Sequence, residues 1–338
     1  MLRSVTKSLW LLSFGVVILC LIYPGVLLAI GQTVFPFQAN GSILKGPDGK
    51  PVGSLLIAQP FTKDEYFQPR PSAASYNAAA SASSAYSVSN YALRDRVARQ
   101  IAPVALYADG PKKGQPVAPD VDTWFQADKF AGQSGIVAQW ADAHNSLAQG
   151  WVTGDPTHGA FVDAWSKAHP DIVAAFIKAN PATPKPQASD LAVTFFEHWS
   201  KDHPGAFPSQ VTAKGSDGKT TTSIGPVTSG SDIETIFFET WREDHPNVAL
   251  QNVPGDWVTT SGSGLDPHIT LVNAEFQLPR VANKWAADLK RDPAQMRAEI
   301  EGIVTQHAFS PGAGLFGGPI VNVLEVNLEL RKRYGAPA

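Results

Sequence analysis

Residues 9–30 read LWLLSFGVVILCLIYPGVLLAI. This apolar run is interrupted only by four small or helix-bending residues, Ser13, Gly15, Pro24 and Gly25. Its 22 residues, at a helical rise of about 1.5 Å each, reach about 33 Å, which is enough to cross the hydrocarbon core of a bilayer. The stretch therefore predicts one transmembrane helix.

The charges that flank this run give the predicted helix a direction. Arg3 and Lys7 lie on its N-terminal side, and the next charged residue is Lys45. Because basic residues favour the cytoplasmic side of a membrane, we expect residues 1–8 in the cytoplasm and the main domain outside. A cleaved signal peptide is the alternative, since Ala-Ile-Gly at 29–31 has small residues at a suitable spacing. The apolar run exceeds the roughly 7–15 residues of such peptides, which favours a retained anchor.

Composition limits what the rest of the chain can be. Its 338 residues are 43% hydrophobic and 17% charged, which is typical of a folded protein and excludes general disorder. With 27 Lys and Arg against 30 Asp and Glu, the net charge of -3 gives no reason to expect a nucleic-acid partner. The single cysteine, Cys20, excludes an internal disulfide and a cysteine-built zinc site. The mean hydropathy of -0.10 excludes a polytopic membrane protein.

Local signals predict several elements on either side of the middle of the chain. Residues 45–57 predict a Gly/Pro turn and a short strand, and the Ala/Ser-rich stretch 72–90 predicts a loop. Asn90 is a good N-cap for a helix that continues to about Ala105. Nearer the C-terminus we expect a strand and a Gly/Ser turn over 256–269, followed by helices over about 271–286 and 293–307. The pattern of residues 320–332 fits either a strand or a helix.

A Trp/His pattern recurs between residues 109 and 249. Three copies place an aromatic residue, a tryptophan and a His-Pro pair four residues apart, and a fourth copy is weaker: Phe161/Trp165/His169, Phe195/Trp199/His203, Phe237/Trp241/His245 and Ile136/Trp140/His144. This spacing puts each trio on one helix face, and the proline ends the helix. We expect a small helical array with polar loops, the longest over 214–232. The four histidines could also form a metal or haem site. A structural role is favoured, in which each histidine ends a helix and the tryptophans fill the core.

The densest polar motif is SGSGLDPHI at 261–269. Gly262 and Gly264 permit positive φ or a close approach of the backbone to a ligand. Asp266 before Pro267 predicts a helix N-cap with proline at the first helical position. The motif has the residue types of a hydrolytic triad, but they lie too close in sequence, and the Gly-Lys-Ser/Thr of a phosphate-binding loop is missing. A structural turn or a subunit contact is therefore favoured over catalysis.

Several blocks, taken in order, resemble a known family. They read GSLLIAQPFTKDEYFQPRPSA (53–73), SVSNYAL (87–93), VTTSGSGLDPHI (258–269), QLPRVA (277–282) and VNVLEVNLEL (321–330). Together they resemble the C subunit of the Kdp high-affinity potassium-transporting ATPase, the KdpC family, which also begins with one membrane span. The resemblance covers about residues 1–105 and 251–335.

The resemblance implies a non-catalytic subunit of an ATP-driven potassium importer, described in the family as a catalytic chaperone that raises the ATP affinity of the ATPase subunit. Its partners would be the channel-like KdpA subunit, the KdpB ATPase subunit, the small KdpF subunit and membrane lipid. ATP would be contacted only together with the ATPase subunit, and neither a catalytic residue nor a metal is expected in this chain. The positions that match the family motifs, and thus candidate nucleotide or subunit contacts, are Arg70, Ser261, Gly262, Ser263, Gly264, Asp266, His268, Pro279 and Arg280.

The predicted architecture is α+β: one transmembrane helix, then an extracytoplasmic α+β domain interrupted by a mainly helical insertion, in a bacterial inner membrane. Its parts are residues 1–8, 9–30, 31–108, the insertion 109–249, and 250–338. Ser83–Tyr86 and Tyr91 depart from the family pattern of Gly-Gly-Ser-Asn and proline, which puts a role for that loop in doubt. The topology also conflicts with direct ATP contact by the 261–269 motif. The alternative function is an independent membrane-anchored envelope protein whose His/Trp-rich insertion binds a ligand or metal.

Overall fold

The computed structural model describes residues 2–46, 49–84, 86–129, 135–214, 220–315 and 317–335. The chain begins with a long apolar helix made of α1 (Leu2–Val16), a π-helical stretch (Val17–Ile22) and α2 (Tyr23–Val34). Within it, Arg3–Val34 is a candidate membrane span of 32 residues with a hydropathy of 2.5, and its most apolar part is not buried. The apolar helix predicted over 9–30 is therefore present and extends further in both directions.

A short turn and a hairpin follow the apolar helix. The turn is α3 (Pro36–Ala39), and β1 (Ile43–Lys45) pairs antiparallel with β2 (Pro51–Ser54). The strand predicted over 45–57 is present but ends at Ser54, and Pro47 and Asp48 of the predicted turn lie outside the described residues. Residues 55–84 contain no helix or strand, as the loop prediction for 72–90 requires within the described range.

The chain then enters a compact unit of its own, residues 86–253. This unit consists mainly of helices, which a β-hairpin accompanies. The elements are α4 (Tyr91–Ile101), a 3₁₀ turn (Ala102–Val104), α5 (Ala118–Ala127), α6 (Ile136–Ala143), α7 (Asn145–Gly154), α8 (Pro156–Ala168), α9 (Pro170–Ala179), α10 (Ala192–Asp202), β3 (Phe207–Lys214), β4 (Thr220–Val227), α11 (Ser231–Ile236) and α12 (Phe238–Asp244).

Aromatic side chains fill the core of this unit. Trp140, Trp199 and Trp241 are buried, and Trp140 makes an edge-to-face contact with Phe196 at a centroid distance of 5.3 Å. Trp165 differs from the expectation because it is only partly buried and packs on the edge of the core. Such aromatic pairs add stability beyond the area they bury. The repeated tryptophans are thus mainly packing residues.

The polar loop predicted over 214–232 is wrong over residues 220–227. Residues 220–227 form β4, which pairs antiparallel with β3 from Phe207↔Val227 to Lys214↔Thr220. The run of threonines at 220–222 explains the difference, because β-branched residues favour strands even where no apolar alternation marks them. Residues 215–219 lie outside the described part of the chain.

The C-terminal part returns to the first compact unit, which consists of residues up to 85 and from 254 onward. Its core is formed by the apolar faces of two long helices and the strands beside them. The elements are α13 (Gly255–Val258), β5 (His268–Thr270), α14 (Leu271–Leu289), α15 (Pro293–His307), a 3₁₀ turn (Pro311–Gly314), β6 (Ile320–Asn322) and α16 (Val323–Tyr334). The β5 and β6 strands pair antiparallel, with Ile269 opposite Val321.

These elements test the C-terminal predictions. Both long helices are confirmed, and Asp292 caps α15 by accepting a hydrogen bond from the Gln295 N–H at 2.8 Å. The final stretch is a three-residue strand followed by a helix. The strand predicted at the start of 256–269 is wrong, because residues 255–258 form one helical turn. The Thr259 hydroxyl donates to the Gly255 carbonyl at 2.7 Å and closes that turn, which competes with an extended conformation.

The predicted insertion 109–249 has ends that lie side by side. The Ala108 N–H donates to the Ala249 carbonyl at 2.9 Å, and Tyr107 pairs with Leu250. The compact unit extends beyond these ends, because α4 and the following turn share a small core with α5 and α12. That core comprises Ala102, Ala105, Val117, Val121, Phe238 and Trp241. The overall class is the predicted mixture of helix and sheet.

Candidate functional site

The SGSGLDPHI motif forms a tight turn between α13 and β5. Ser261 and Gly264 are buried, whereas Gly262 and Ser263 face solvent. The turn is fixed to the irregular segment before residue 85: the Ala82 N–H donates to the Ser263 carbonyl at 3.1 Å, and the Ser72 hydroxyl donates to the Gly264 carbonyl. The motif therefore joins two distant parts of the chain.

Gly264 is the residue in this turn that no other amino acid can replace without strain. Its φ is +71°, in the left-handed region that favours glycine. A Cβ atom at this position would lie 2.7 Å from the Ala82 carbonyl oxygen and 3.1 Å from the Ala74 nitrogen. Gly262, by contrast, has no heavy atom within 4 Å of a Cβ. The two glycines of the motif thus have different structural roles.

Asp266 does not cap a helix, which corrects the prediction from the Asp-Pro pair. Its Oδ1 accepts from the His268 N–H at 3.0 Å and lies 2.9 Å from the His268 ring Nδ1. The residues after Pro267 form β5, and α14 begins only at Leu271. Thr270 caps α14 instead, by accepting from the Asn273 N–H at 3.1 Å. An aspartate that closes a local turn has the same sequence signature as a helix cap, which explains the error.

The electrostatics of this turn favour an ionised Asp266. Burial by itself raises the pKa of Asp266, but the hydrogen bonds from the His268 ring and backbone, with the nearby positive charge of Arg70, outweigh burial and lower that pKa. The carboxylate is therefore charged at neutral pH and committed to the side chain and backbone of His268.

Arg70 connects the irregular segment to the start of the motif. Its guanidinium donates to the Thr260 carbonyl at 2.9 Å and to the Thr259 carbonyl at 3.3 Å. The Tyr76 hydroxyl donates back to the Arg70 carbonyl at 2.8 Å. The structure thus brings five of the candidate contact residues together in or beside this turn: Arg70, Ser261, Gly264, Asp266 and His268.

Arg280 and Pro279 lie at a second place on the same segment, on α14. The Arg280 guanidinium donates to the Asp64 carbonyl at 2.9 Å, the Tyr66 carbonyl at 3.0 Å and the Gln277 side chain at 2.8 Å. Burial lowers the pKa of Arg280, which the Asp64 carboxylate partly offsets. Pro279 is exposed inside the helix and has no such contacts in the described structure. Arg280 therefore holds backbone carbonyls rather than a free ligand.

Several functional side chains were missed from the sequence. Asn327, fully buried, accepts from the Phe67 N–H at 2.9 Å and donates to the Phe67 carbonyl at 2.8 Å. Gln277 does the same for Gln68, at 2.7 and 3.0 Å. The spacing of Asn327 could have predicted its burial. It lies four residues after Val323 and three before Leu330, on the buried face of α16. A buried amide at such a position predicts a backbone partner.

The arrangement provides little for catalysis or phosphate binding. The backbone N–H groups of residues 264, 265, 266 and 268 all donate within the motif, to Ser261, Ser263 and Asp266. A phosphate-binding loop needs such N–H groups free to point at the ligand. Ser263 accepts from Leu265 rather than pairing with His268, so the triad geometry is not formed. The N–H groups of residues 264, 265, 266 and 268 are therefore used within the motif.

The repeated histidines of residues 86–253 end helices, as predicted. His144, His169, His203 and His245 directly follow α6, α8, α10 and α12. The Nδ1 atoms of His169 and His245 each lie 2.8 Å from the carbonyl of the tryptophan one turn earlier, and their rings stack on those tryptophans. In the described part of the chain, no three His, Cys, Asp or Glu residues are placed to hold a metal ion.

The fold and these contacts define an α+β protein with one apolar N-terminal helix. Its irregular segment 58–84 is held by side-chain hydrogen bonds from α14 and α16. A sequence model of the family described as "K+-transporting ATPase, c chain" (KdpC) matches residues 5–123 and 231–332. The chain belongs to this family. Membership confirms the resemblance and identifies the chain as an accessory subunit rather than the hydrolytic one.

Individual relatives agree with this assignment. A potassium-transporting ATPase KdpC subunit from Pseudomonas syringae pv. tomato is 49% identical over 89 residues, covering 26% of this chain and 47% of the relative. One from Caulobacter vibrioides is 38% identical over 151 residues, covering 40% and 76%. The chain thus spans about half the length of the former.

A further relative extends the match into the middle of the chain. A KdpC subunit from a Caulobacter species is 28% identical over 320 residues, covering 95% of this chain and 89% of the relative. An alignment of that extent includes most of residues 124–230, which the family model leaves unmatched. The additional segment is therefore shared with at least one other member of the family.

Proposed function

We propose that this chain is the C subunit of an ATP-driven, high-affinity potassium import complex in a bacterial inner membrane. Family membership supports the assignment, and the apolar helix Arg3–Val34 supplies the anchor. The basic residues Arg3 and Lys7 at its start favour a cytoplasmic N-terminus, with the chain after the span outside. The complex would contain a channel-like A subunit, a P-type ATPase B subunit and a small F subunit.

The observation that carries this proposal is the meeting of four of the five family blocks in one unit. Arg70, Gly264, Arg280 and Asn327 come from four different blocks, and each holds the irregular segment 58–84 or the turn against it. Because their polar atoms are used internally, these residues shape a surface rather than a reaction site. A shaped, non-catalytic surface is what an assembly subunit requires.

The chaperone effect on ATP binding would then be indirect. Four N–H groups of the 261–269 turn, those of residues 264, 265, 266 and 268, donate within the turn, which supports a structural role for the motif. An extracytoplasmic motif is also on the opposite side of the membrane from ATP hydrolysis. We therefore propose that the subunit acts on the ATPase by stabilising the assembled complex, and that Ser261–His268 contribute to subunit contact without binding nucleotide.

Co-purification tests the assignment. The full-length chain with a C-terminal tag should be extracted from its native membrane in a mild detergent and its partners identified by mass spectrometry. We expect a large polytopic subunit and a P-type ATPase at equal amounts to the tagged chain. Isolation of the chain alone, from membranes in which a potassium-transporting ATPase is expressed, would reject the proposal.

Protease protection tests the orientation. In intact spheroplasts, an added protease should cut the exposed regions of residues 86–253 while the N-terminal eight residues stay protected. Cleavage only after the membrane is permeabilised would place the main domain in the cytoplasm. That result would reopen direct contact between the 261–269 turn and ATP.

A further inference from the structure

The end of the apolar helix folds back on itself within one turn. At Phe35 the backbone leaves the helical region, and α3 brings Ala39 against Gly31, where a Cβ would lie 3.4 Å away. The Asn40 amide donates to the Gln32 side chain at 3.1 Å and to the Pro36 carbonyl at 2.6 Å. The polar groups at this helix end are thus partly satisfied by the protein itself.

The same turn leaves a ring of apolar side chains uncovered. Val34, Phe35, Phe37 and Ile43 are 61%, 53%, 43% and 40% exposed, and we call these four residues the apolar collar. No charged residue or histidine occurs between residues 8 and 44, so the charge-free run continues through the collar to Lys45. Two exposed phenylalanines within three residues of sequence are unusual on a surface that faces only water.

The length of the helix determines the depth at which the collar lies. The 32 residues of the span, at about 1.5 Å each, reach about 48 Å, slightly more than the 40–45 Å of a whole bilayer with its headgroups. Trp10, which is 75% exposed, precedes Phe35 by 25 residues, or about 37 Å along the helix. Aromatic side chains separated by that distance match the two interfaces of a membrane.

We propose that the apolar collar lies in the boundary between headgroups and acyl chains of the outer leaflet, so that lipid covers Val34, Phe35, Phe37 and Ile43. The covalent continuity of the collar with the membrane span and the absence of charge up to Lys45 favour lipid as its occupant. This inference rests on the proposed membrane anchor. The extracytoplasmic unit then starts at the membrane surface, with no free stalk between the span and β1.

Site-directed spin labelling tests this placement in the full-length protein reconstituted in phosphatidylcholine/phosphatidylglycerol vesicles. Cys20→Ser gives a background without cysteine, because Cys20 is the sole cysteine of the chain. Labels are placed by Phe35→Cys and Phe37→Cys in the collar, by Leu19→Cys in the span, and by Val88→Cys as a matched exposed apolar residue. Leu19 is 68% exposed and Val88 is 91% exposed. Oxygen reports contact with lipid, and a water-soluble nickel chelate reports contact with water.

We expect the oxygen-to-nickel accessibility ratio at positions 35 and 37 to exceed that at 88 several-fold and to remain below that at 19. A ratio at 35 and 37 equal to that at 88, with 19 still lipid-exposed, would overturn the collar while leaving the membrane anchor intact. Labels at 35 and 37 shielded from both reagents would show that protein covers the collar, which also overturns it. Nickel access at 19 would instead reject the anchor itself.

Discussion

Two buried amide side chains supply hydrogen bonds to backbone groups, as a neighbouring strand would in a sheet. Asn327 and Gln277 each offer one acceptor and one donor to the backbone of a single residue, Phe67 or Gln68, as a neighbouring strand would. Phe67 is itself almost completely buried in the core formed by α14, α15 and α16. The irregular segment can therefore be ordered without belonging to a sheet, because its backbone groups are satisfied individually.

Asn327→Ala should loosen this segment. The change leaves the Phe67 N–H and carbonyl buried without partners, at a cost of about 1–3 kcal/mol for each group. We expect amide hydrogen exchange over residues 60–72 to accelerate strongly in the full-length protein, measured by mass spectrometry. Lys332→Ala on the same helix is the control, since the Lys332 side chain is 79% exposed and its loss should change little. Unchanged exchange at Phe67 in Asn327→Ala would show that the amide does not hold the segment.

Residue-level prediction from the sequence succeeded where the partner is local. The Asn90 side chain accepts from the Ala92 N–H at 2.9 Å, as an N-cap should, and Gly264 has the positive φ that its place in the turn suggested. It failed for Asp266, whose local turn mimics a helix cap, and it missed Asn327. The partner of Asn327 lies 260 positions away, so no local pattern specifies it.

At the scale of elements, the Trp/His repeat is a device for ending helices. His169 and His245 hydrogen-bond the carbonyl four residues earlier, and Asn180 does the same at the end of α9, where its amide donates to the Phe176 carbonyl at 3.0 Å. An asparagine in the same role shows that the required property is a donor to an otherwise free carbonyl. Neither a charged ring nor a bound metal is needed to end a helix in this way.

His245→Asn should therefore be tolerated, whereas His245→Ala should not. Alanine loses a hydrogen bond worth about 1 kcal/mol and exposes part of the ring of Trp241, which is 2% exposed in the native fold. Asparagine keeps the donor, so we expect less than about half of that loss. Thermal unfolding of the full-length protein in detergent measures both. Equal destabilisation by the two variants would mean that the imidazole ring, rather than its donor, is what matters.

The stability of the contact between α4, α6 and α12 should depend on pH through His144. Its ring stacks on Tyr91 at a centroid distance of 3.9 Å, near Arg94 and Asp95 on α4 and Glu239 and Glu243 on α12. Burial lowers the pKa of His144 below its ordinary value of 6.5, although the three carboxylates partly oppose this shift. The native state therefore binds the proton less readily than the unfolded chain. The stability that neutral His144 contributes is present above pH 6.5 and is lost as the pH falls through the lower native pKa.

Acidification from about pH 7.5 to about pH 5.5 should thus lower the melting temperature of the native sequence more than that of His144→Phe. Phenylalanine keeps the stack on Tyr91 and removes the titrating group. Calorimetry of the full-length chain in detergent at several pH values makes the comparison. Identical pH profiles for the two proteins would exclude His144 as the source of the dependence.

The strength of the local pattern decided which elements the sequence predicted. Helices with a clear 3.6-residue period, such as α14 and α15, were placed to within a few residues, and α15 begins at the Pro293 that marked it. The β4 strand was missed because its threonines show no apolar alternation. The 255–258 turn was taken for a strand because its Trp-Val-Thr-Thr run favours extended structure, while a side-chain hydrogen bond to Gly255 decides locally.

At the scale of the whole molecule, two compact units share one chain, and the second unit is larger than the segment that the family model leaves unmatched. The family model matches up to residue 123 and again from 231, whereas the second unit begins at 86 and ends at 253. Helix α4 belongs to that unit, because its partly buried face packs against α11 and α12. Sequence comparison marks where a segment departs from a family, but packing decides which residues fold together.

Replacement of residues 86–253 by a short Gly/Ser linker should preserve assembly. The Ser84 hydroxyl lies 3.2 Å from the Thr260 hydroxyl, so the flanking ends are within a few residues of each other and closing the gap costs little entropy. Replacement of 110–248 alone should be worse, because it uncovers the face of α4 and the turn after it, including Ile101, Ala102 and Ala105. Co-purified partner per tagged chain measures both. Loss of the partner in the 86–253 replacement would show that this unit takes part in assembly.

The central claim is that the 261–269 turn supports assembly and does not bind nucleotide, and the two glycines of the motif test it most directly. Gly264→Ala forces alanine into a left-handed conformation that costs about 1–2 kcal/mol and adds a clash with the Ala82 carbonyl. Gly262→Ala enters open space. The measurement is the Michaelis constant for ATP of purified complexes carrying each variant, together with the amount of complex recovered. We expect less complex with Gly264→Ala, a normal amount with Gly262→Ala, and an unchanged Michaelis constant in both. A raised Michaelis constant in fully assembled Gly262→Ala complex would contradict it, because the exposed rim of the turn would then be in contact with ATP.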